Sequence, residues 1–104
     1  MTLQEATGTW GDETFPHSTA RSVMDHLKDE IGELDVEVDA YLAERSPEGR
    51  AALAEEAADC YLLLLHIAHK YGFDLEVAAT AKLARNRVRT WGEPDARGVV
   101  RHVE

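Results

Sequence analysis

His26-Leu27-Lys28-Asp29-Glu30-Ile31-Gly32-Glu33-Leu34 is the stretch on which the reading of the fold turns. Leu27, Ile31 and Leu34 recur at the four- and three-residue steps that place side chains on one face of an α-helix. The stripe extends in both directions through Val23, Met24, Val38, Tyr41 and Leu42, which predicts a helix from about Ser18 to about Glu44. Ser18 or Thr19 suits its N-cap. Glu30 and Glu33 lie one turn apart beside that stripe, so a single helical face carries two carboxylates.

Ser46-Pro47-Glu48-Gly49 ends this helix and opens a second one. Ser46 fits the N-cap, and Pro47 fits the first helical position, where its missing N–H costs nothing. The second helix runs to about Tyr71, with Gly72 as a left-handed terminator. Leu53, Ala57, Cys60, Leu64, Ile67 and Tyr71 mark one face, while Tyr61, Leu62, Leu63 and Leu65 fill most of the remaining circumference. A helix apolar nearly all round must be covered on more than one side. Two arrangements meet that need: packing across a symmetry axis in a homo-oligomer, or cover from an amino-terminal arm.

Asp74 can cap a third helix that passes through Lys82 to about Arg89, and Trp91-Gly92-Glu93-Pro94 stops it. No strand-like alternation is long enough to build a sheet. The expected fold class is therefore all-α. A helical domain over 18–91 is flanked by an arm at 1–17, read as a short helical turn or irregular segment packed on the domain, and by a polar tail at 92–104.

The chain has 104 residues, enough for one domain with a modest core. Hydrophobic residues make up 44% and charged residues 30%, which argues against wholesale disorder. A net charge of −9 disfavours nucleic acid and anionic membrane as partners. The same charge would repel a small anionic ligand unless cations reverse the local sign. The single cysteine, Cys60, permits no internal disulfide and reads as a small buried core residue. The longest strongly apolar run, Cys60 to Leu65, is too short for a membrane span, and no signal-peptide pattern opens the chain. These features predict a soluble cytoplasmic protein.

A second carboxylate pair, Glu56 and Asp59 in Glu55-Glu56-Ala57-Ala58-Asp59, repeats the one-turn spacing on the second helix. Both acidic sets border the seam where the two helices would pack. Four carboxylates gathered there repel one another unless cations neutralise them. The chemistry then points to Mg²⁺, with Mn²⁺ as the alternative, and through the metal to a phosphorylated substrate. Solvated acidic helix faces show the same spacing, so both readings stand on spacing alone.

The two acidic motifs resemble the signature of the MazG-like all-α nucleoside triphosphate pyrophosphohydrolases, in which EExxE precedes ExxD on the following helix. Here Asp29 stands at the first Glu place. Lys82-Leu83-Ala84-Arg85-Asn86-Arg87-Val88-Arg89-Thr90-Trp91 is similar to the Lys-x3-Asn-x2-Arg-x-Trp segment of many members. Thr14-Phe15-Pro16 and Gly98-Val99-Val100 resemble segments of short stand-alone members. The resemblance implies a helical bundle of three main helices per chain, completed by homo-oligomerisation into a dimer or tetramer. It also implies cleavage of a nucleoside triphosphate between the α and β phosphates, which would clear particular nucleotides from the pool. Carried over by position, Glu30, Glu33, Glu56 and Asp59 would hold the metal, and Glu30 or Glu33 would serve as general base. Lys82, Asn86 and Arg89, on one helix face, would hold the substrate phosphates, sugar or base.

Two rival functions remain at this level. One is a phosphoribosyl-ATP pyrophosphohydrolase, and the other a non-catalytic acidic helical module that binds a protein or a nucleotide. His66 and His69 share a helical face but read as incidental, because phosphate-handling Mg²⁺ sites take oxygen ligands. His26, one turn before Glu30, fits either a partner of that carboxylate or a packing residue. Trp10, Phe15 and Trp91 suit either a base-stacking role or a clamp holding the chain ends. Asp39, Glu44 and Glu48 read as surface charge.

Overall fold

A computed structural model describes residues 1–103 and contains four helices: α1 (Leu3–Thr14), α2 (Ala20–Ala43), α3 (Pro47–Tyr71) and α4 (Leu75–Val88). Among the described residues there is no strand, only an isolated antiparallel bridge between Trp91 and His102. The all-α expectation is met. The amino-terminal segment is more ordered than a turn, forming a twelve-residue helix whose N-cap, Thr2, accepts a hydrogen bond from the Glu5 N–H. Two glycines in that helix hid it from a reading by apolar period.

Local chemistry sets the helix ends. Thr19, not Ser18, caps α2, because Ser22 sits three residues on and completes a reciprocal box. The Ser22 N–H donates to Thr19 Oγ1 at 3.0 Å, and the Thr19 N–H donates to Ser22 Oγ at 2.9 Å. Ser46 caps α3 through its hydroxyl, with Pro47 in the first turn. Gly72 ends α3 at φ 74°, a left-handed conformation that glycine adopts without steric cost.

The chain forms two compact units, 1–74 and 75–104. In the first, α3 is the central element, with α2 packed along it and α1 docked on it. Val23 and Leu27 of α2 are buried, as are Cys60, Leu65, His66 and Ala68 of α3. Gly8 and Gly11 of α1 are buried too, and their lack of side chains is what brings α1 close to α3. A Cβ at Gly8 would lie 2.0 Å from His69 Cγ, and one at Gly11 would lie 2.6 Å from His66 Cε1. Each glycine is a socket for an imidazole.

Asp12 closes the same junction. Its Oδ1 accepts from His66 Nε2 and from Lys70 Nζ, both at 2.9 Å, and its Oδ2 lies 3.4 Å from His69 Nε2. The hydrogen bond from His66, then that from Lys70, draws the Asp12 carboxyl down to about 2. The His-x-x-His pair therefore serves to fasten α1.

The second unit joins α4 to a folded-back tail. The Gly92 N–H donates to the Arg101 carbonyl at 2.8 Å, and the Val103 N–H donates to the Thr90 carbonyl at 3.0 Å. Trp91 meets His102 edge to face, with ring centroids 5.9 Å apart. Asp95 organises the intervening loop by accepting from the Arg97 and Val99 N–H groups and from Arg101 Nη1. The Val99 bond comes first among the contacts that hold the Asp95 carboxyl below its ordinary value. No helix among the described residues is long and apolar enough to cross a membrane.

Candidate active site

Glu30 and Glu33, one turn apart on α2, meet Glu56 from α3. One carboxylate oxygen of each lies within 4.8 Å of the others. Glu30 and Glu56 are half-buried and Glu33 is exposed, so the group sits at the rim of the helix seam. Oε2 of Glu30 and Oε2 of Glu56 are buried with no hydrogen-bond partner among the described residues. Buried unpartnered carboxylate oxygens are costly. A cation lodged between them removes that cost, so this donor set fits a divalent metal that prefers oxygen.

The electrostatics agree. The Glu56 carboxyl is pushed up to about 7, first by loss of solvent, then by the Glu33 charge and by Glu30. Glu33 is also raised, chiefly by the adjacent Glu30 carboxyl, which crowds it and carries like charge. Without a cation, the group stores repulsion and shares protons to relieve it. His26 stands where the helical spacing put it, with Nε2 3.2 Å from Glu30 Oε1. That contact occupies one Glu30 oxygen and leaves the other without a partner among the described residues.

Asp59 is not among the three carboxylates that converge, yet it stands beside them, because its charge raises both Glu33 and Glu56. With Glu30 it also lines a cavity of about 330 Å³ between α1, α2 and α3. Trp10, Phe15, Val23, Leu62 and Leu63 supply mostly apolar walls, and Thr7, Ser18, His26 and His66 supply the polar ones. Trp10 and Phe15 meet edge to face at 5.4 Å and each is more than half exposed. Residues of α1 thus form one wall of the cavity, which reading 1–17 as an arm did not reveal. Cys60 is buried on α3, its thiol raised by burial first and by the neighbouring carboxylates after that.

Lys82, Asn86 and Arg89 come together in the second unit. Arg89 Nη1 lies 3.5 Å from Asn86 Oδ1, and the Arg89 charge is the first cause lowering the Lys82 ammonium. Trp91 Nε1 donates to the Asn86 carbonyl at 2.9 Å, which ties the helix end to the tail. The expected shared face is present, with Arg89 just beyond the last turn of α4.

A helical unit whose two longest helices bring three carboxylates together, one of them lining an apolar cavity, belongs to the class of all-α metal-binding proteins. Comparison with known proteins narrows the class. The chain is 33% identical over 101 residues to a dATP/dGTP diphosphohydrolase of Cyanophage S-2L, covering 97% of this chain and 85% of that one. It is 36% identical over 89 residues, 86% of its length, to a dATP/dGTP diphosphohydrolase of Salmonella phage PMBT28, and it spans 27% of that longer relative. Among solved structures it is similar to the Cyanophage S-2L MazG-like pyrophosphohydrolase bound to dGDP and three catalytic Mn²⁺ ions per active site. That match has a TM-score of 0.72 at 30% identity and covers 98% of this chain and 94% of the other. No family model matches the chain. The chain belongs to the MazG-like pyrophosphohydrolases, a family of nucleoside triphosphate pyrophosphatases.

Proposed function

We propose that the protein hydrolyses a purine deoxynucleoside triphosphate to the monophosphate and pyrophosphate, using Mg²⁺ or Mn²⁺, and so removes that nucleotide from the pool. The observation that carries this reading is the convergence of Glu30, Glu33 and Glu56, of which Glu30 also lines a mostly apolar cavity. The preference for dATP or dGTP is supported by the names of the two relatives, and the metal by the Mn²⁺ ions of the structural neighbour.

Glu30, Glu33 and Glu56 would hold the cation, with Asp59 adding negative charge at the cavity edge. The bound ion supplies charge neutralisation at the phosphates and lowers the pKa of a coordinated water. In a chain of net charge −9, the triphosphate enters only where this local sign is reversed. Glu33 is the better placed of the two candidate bases. It is exposed, whereas Glu30 is half-buried and engaged with His26. The Trp10, Phe15, Leu62 and Leu63 walls receive the base and exclude water from its faces. Lys82, Asn86 and Arg89 of the second unit stay as the proposed substrate contacts, two cations suited to phosphate oxygens and an amide suited to a hydrogen bond.

A homo-oligomer is part of this proposal. Tyr61, Leu62 and Leu64 on α3 and Ile31, Val36 and Leu42 on α2 are all more than a third exposed, a large apolar area for one chain to leave uncovered.

The test is product analysis by anion-exchange chromatography after incubation with dGTP, dATP, dCTP, dTTP, the ribonucleotides and phosphoribosyl-ATP in Mg²⁺. Monophosphate plus pyrophosphate from dGTP or dATP is expected. Diphosphate plus orthophosphate, or preferential turnover of phosphoribosyl-ATP, would overturn the reading.

A further inference from the structure

Ser18 lines the cavity at the turn between α1 and α2. Both of its backbone polar groups are held. Its N–H donates to the Phe15 carbonyl at 2.9 Å, and its carbonyl accepts from Lys70 Nζ at 3.1 Å. Lys70 is itself fixed by Asp12, 2.9 Å away. The capping role open to a serine at this point is taken by Thr19. Ser18 Oγ is consequently left buried with no hydrogen-bond partner among the described residues.

We infer that Ser18 reads the base of the nucleotide through this hydroxyl, an inference that rests on the nucleotide reading above. A buried unpaired hydroxyl is a standing cost, and it is removed when a ligand supplies the missing partner. Rotation about the single χ1 angle exchanges one staggered well for another and turns Oγ toward the cavity. The faces of a base in this cavity would be met by the ring faces and alkyl groups of Trp10, Phe15, Leu62 and Leu63, which supply contact without selective hydrogen bonding. Recognition of its edge falls to the polar groups in the wall, and Ser18 carries the hydroxyl among them that is buried without a partner among the described residues. A hydroxyl both donates and accepts. It therefore takes an amino or a carbonyl group at the same place on the base, as a pocket serving both adenine and guanine requires. Asp12 and Lys70 act as positioning residues, fixing the Ser18 backbone from the α1–α3 junction.

The experiment measures KM and kcat for dGTP and dATP in Mg²⁺ with the wild type, Ser18→Ala, Ser18→Thr and Lys70→Met. Ser18→Ala is expected to raise KM about threefold to tenfold for both nucleotides, the loss of one neutral hydrogen bond, with a smaller change in kcat. Ser18→Thr keeps the hydroxyl and is expected to restore the wild-type KM, while Lys70→Met moves KM in the direction of Ser18→Ala. The melting temperature of Ser18→Ala is expected to stay level or rise, because the variant deletes an unpaired group. A KM within twofold of wild type in Ser18→Ala overturns the inference, as does a rise in KM accompanied by a fall in melting temperature. Absence of wild-type turnover would overturn the activity reading instead. The same comparison of variants by calorimetric binding of dGDP with Mn²⁺ then decides the role of Ser18.

Discussion

Replacing Gly8 by alanine should loosen α1, although alanine is the better helix former. Two effects oppose each other. In the middle of a helix the exchange favours the folded state by about 1 kcal/mol through backbone entropy. Against this, the new Cβ would lie 2.0 Å from His69 Cγ, 2.4 Å from its Cδ2 and 2.5 Å from its Nδ1. The nearest atom is at the base of the ring, so the side chain cannot simply swing its tip aside. Either α1 lifts from α3 or His69 leaves its rotamer, and overpacking of this kind costs about 3 kcal/mol at the upper end of its range. The net destabilisation is about 2 kcal/mol, or a fall of about 8 °C in melting temperature for a domain of this size. Gly32→Ala is the control. It makes the same exchange inside α2, where a Cβ meets nothing within 4 Å, and should gain about 1 kcal/mol. Thermal unfolding by circular dichroism reads both variants, and hydrogen exchange over residues 3–14 detects release of α1 alone. A Gly8→Ala protein with unchanged melting temperature and unchanged protection of α1 would refute the socket account.

Other consequences follow from charge. The Asp12 carboxyl is depressed from 3.8 to about 2 in the folded state. Its contribution is therefore complete above about pH 4 and is lost as pH falls toward 2. The shift alone corresponds to about 2.4 kcal/mol, which solvent screening of a side chain 43% exposed reduces to about 1 kcal/mol. Urea midpoints from pH 2 to 6 should show this window in the wild type and not in Asp12→Asn. Glu56 runs the other way. Its folded value, about 7 against an ordinary 4.5, makes the metal-free protein less stable as pH rises through that interval, and Glu56→Gln should flatten the slope. Mn²⁺ binding should accordingly release protons and tighten from pH 6 to 8, as calorimetry in two buffers of different ionisation enthalpy would show. Light scattering coupled to size exclusion should give a mass of at least two chains, and a well-folded monomer would contradict the oligomer.

The sequence exposed the elements whose signals are local. The apolar stripe from Val23 to Leu42 announced α2, and Ser46-Pro47 with Gly72 marked both ends of α3. Glu30, Glu33 and Glu56 could be placed together because one-turn spacing on two neighbouring helices leaves few alternatives. What stayed hidden depends on partners distant in the chain. Gly8 and Gly11 read as helix-weakening residues until His69 and His66 are seen filling the space above them. The same pairing recasts the two histidines from incidental residues to fasteners of α1. Ser18 could not be separated from Thr19 as a cap, since that choice was made by the Ser22 hydroxyl one turn on. Asp59 matched the motif and stands beside the converged three, its charge felt by Glu33 and Glu56.

In the proposed enzyme, Glu30, Glu33 and Glu56 form the cation site that supports pyrophosphate release. This assignment is tested most directly by measuring Mn²⁺ binding and dGTP turnover in parallel for the wild type and Glu56→Ala. Both are expected to be lost together in the variant, each by more than the roughly 10- to 100-fold that removal of a merely supporting partner costs. A folded Glu56→Ala protein that still binds Mn²⁺ and still releases pyrophosphate at the wild-type rate would contradict it.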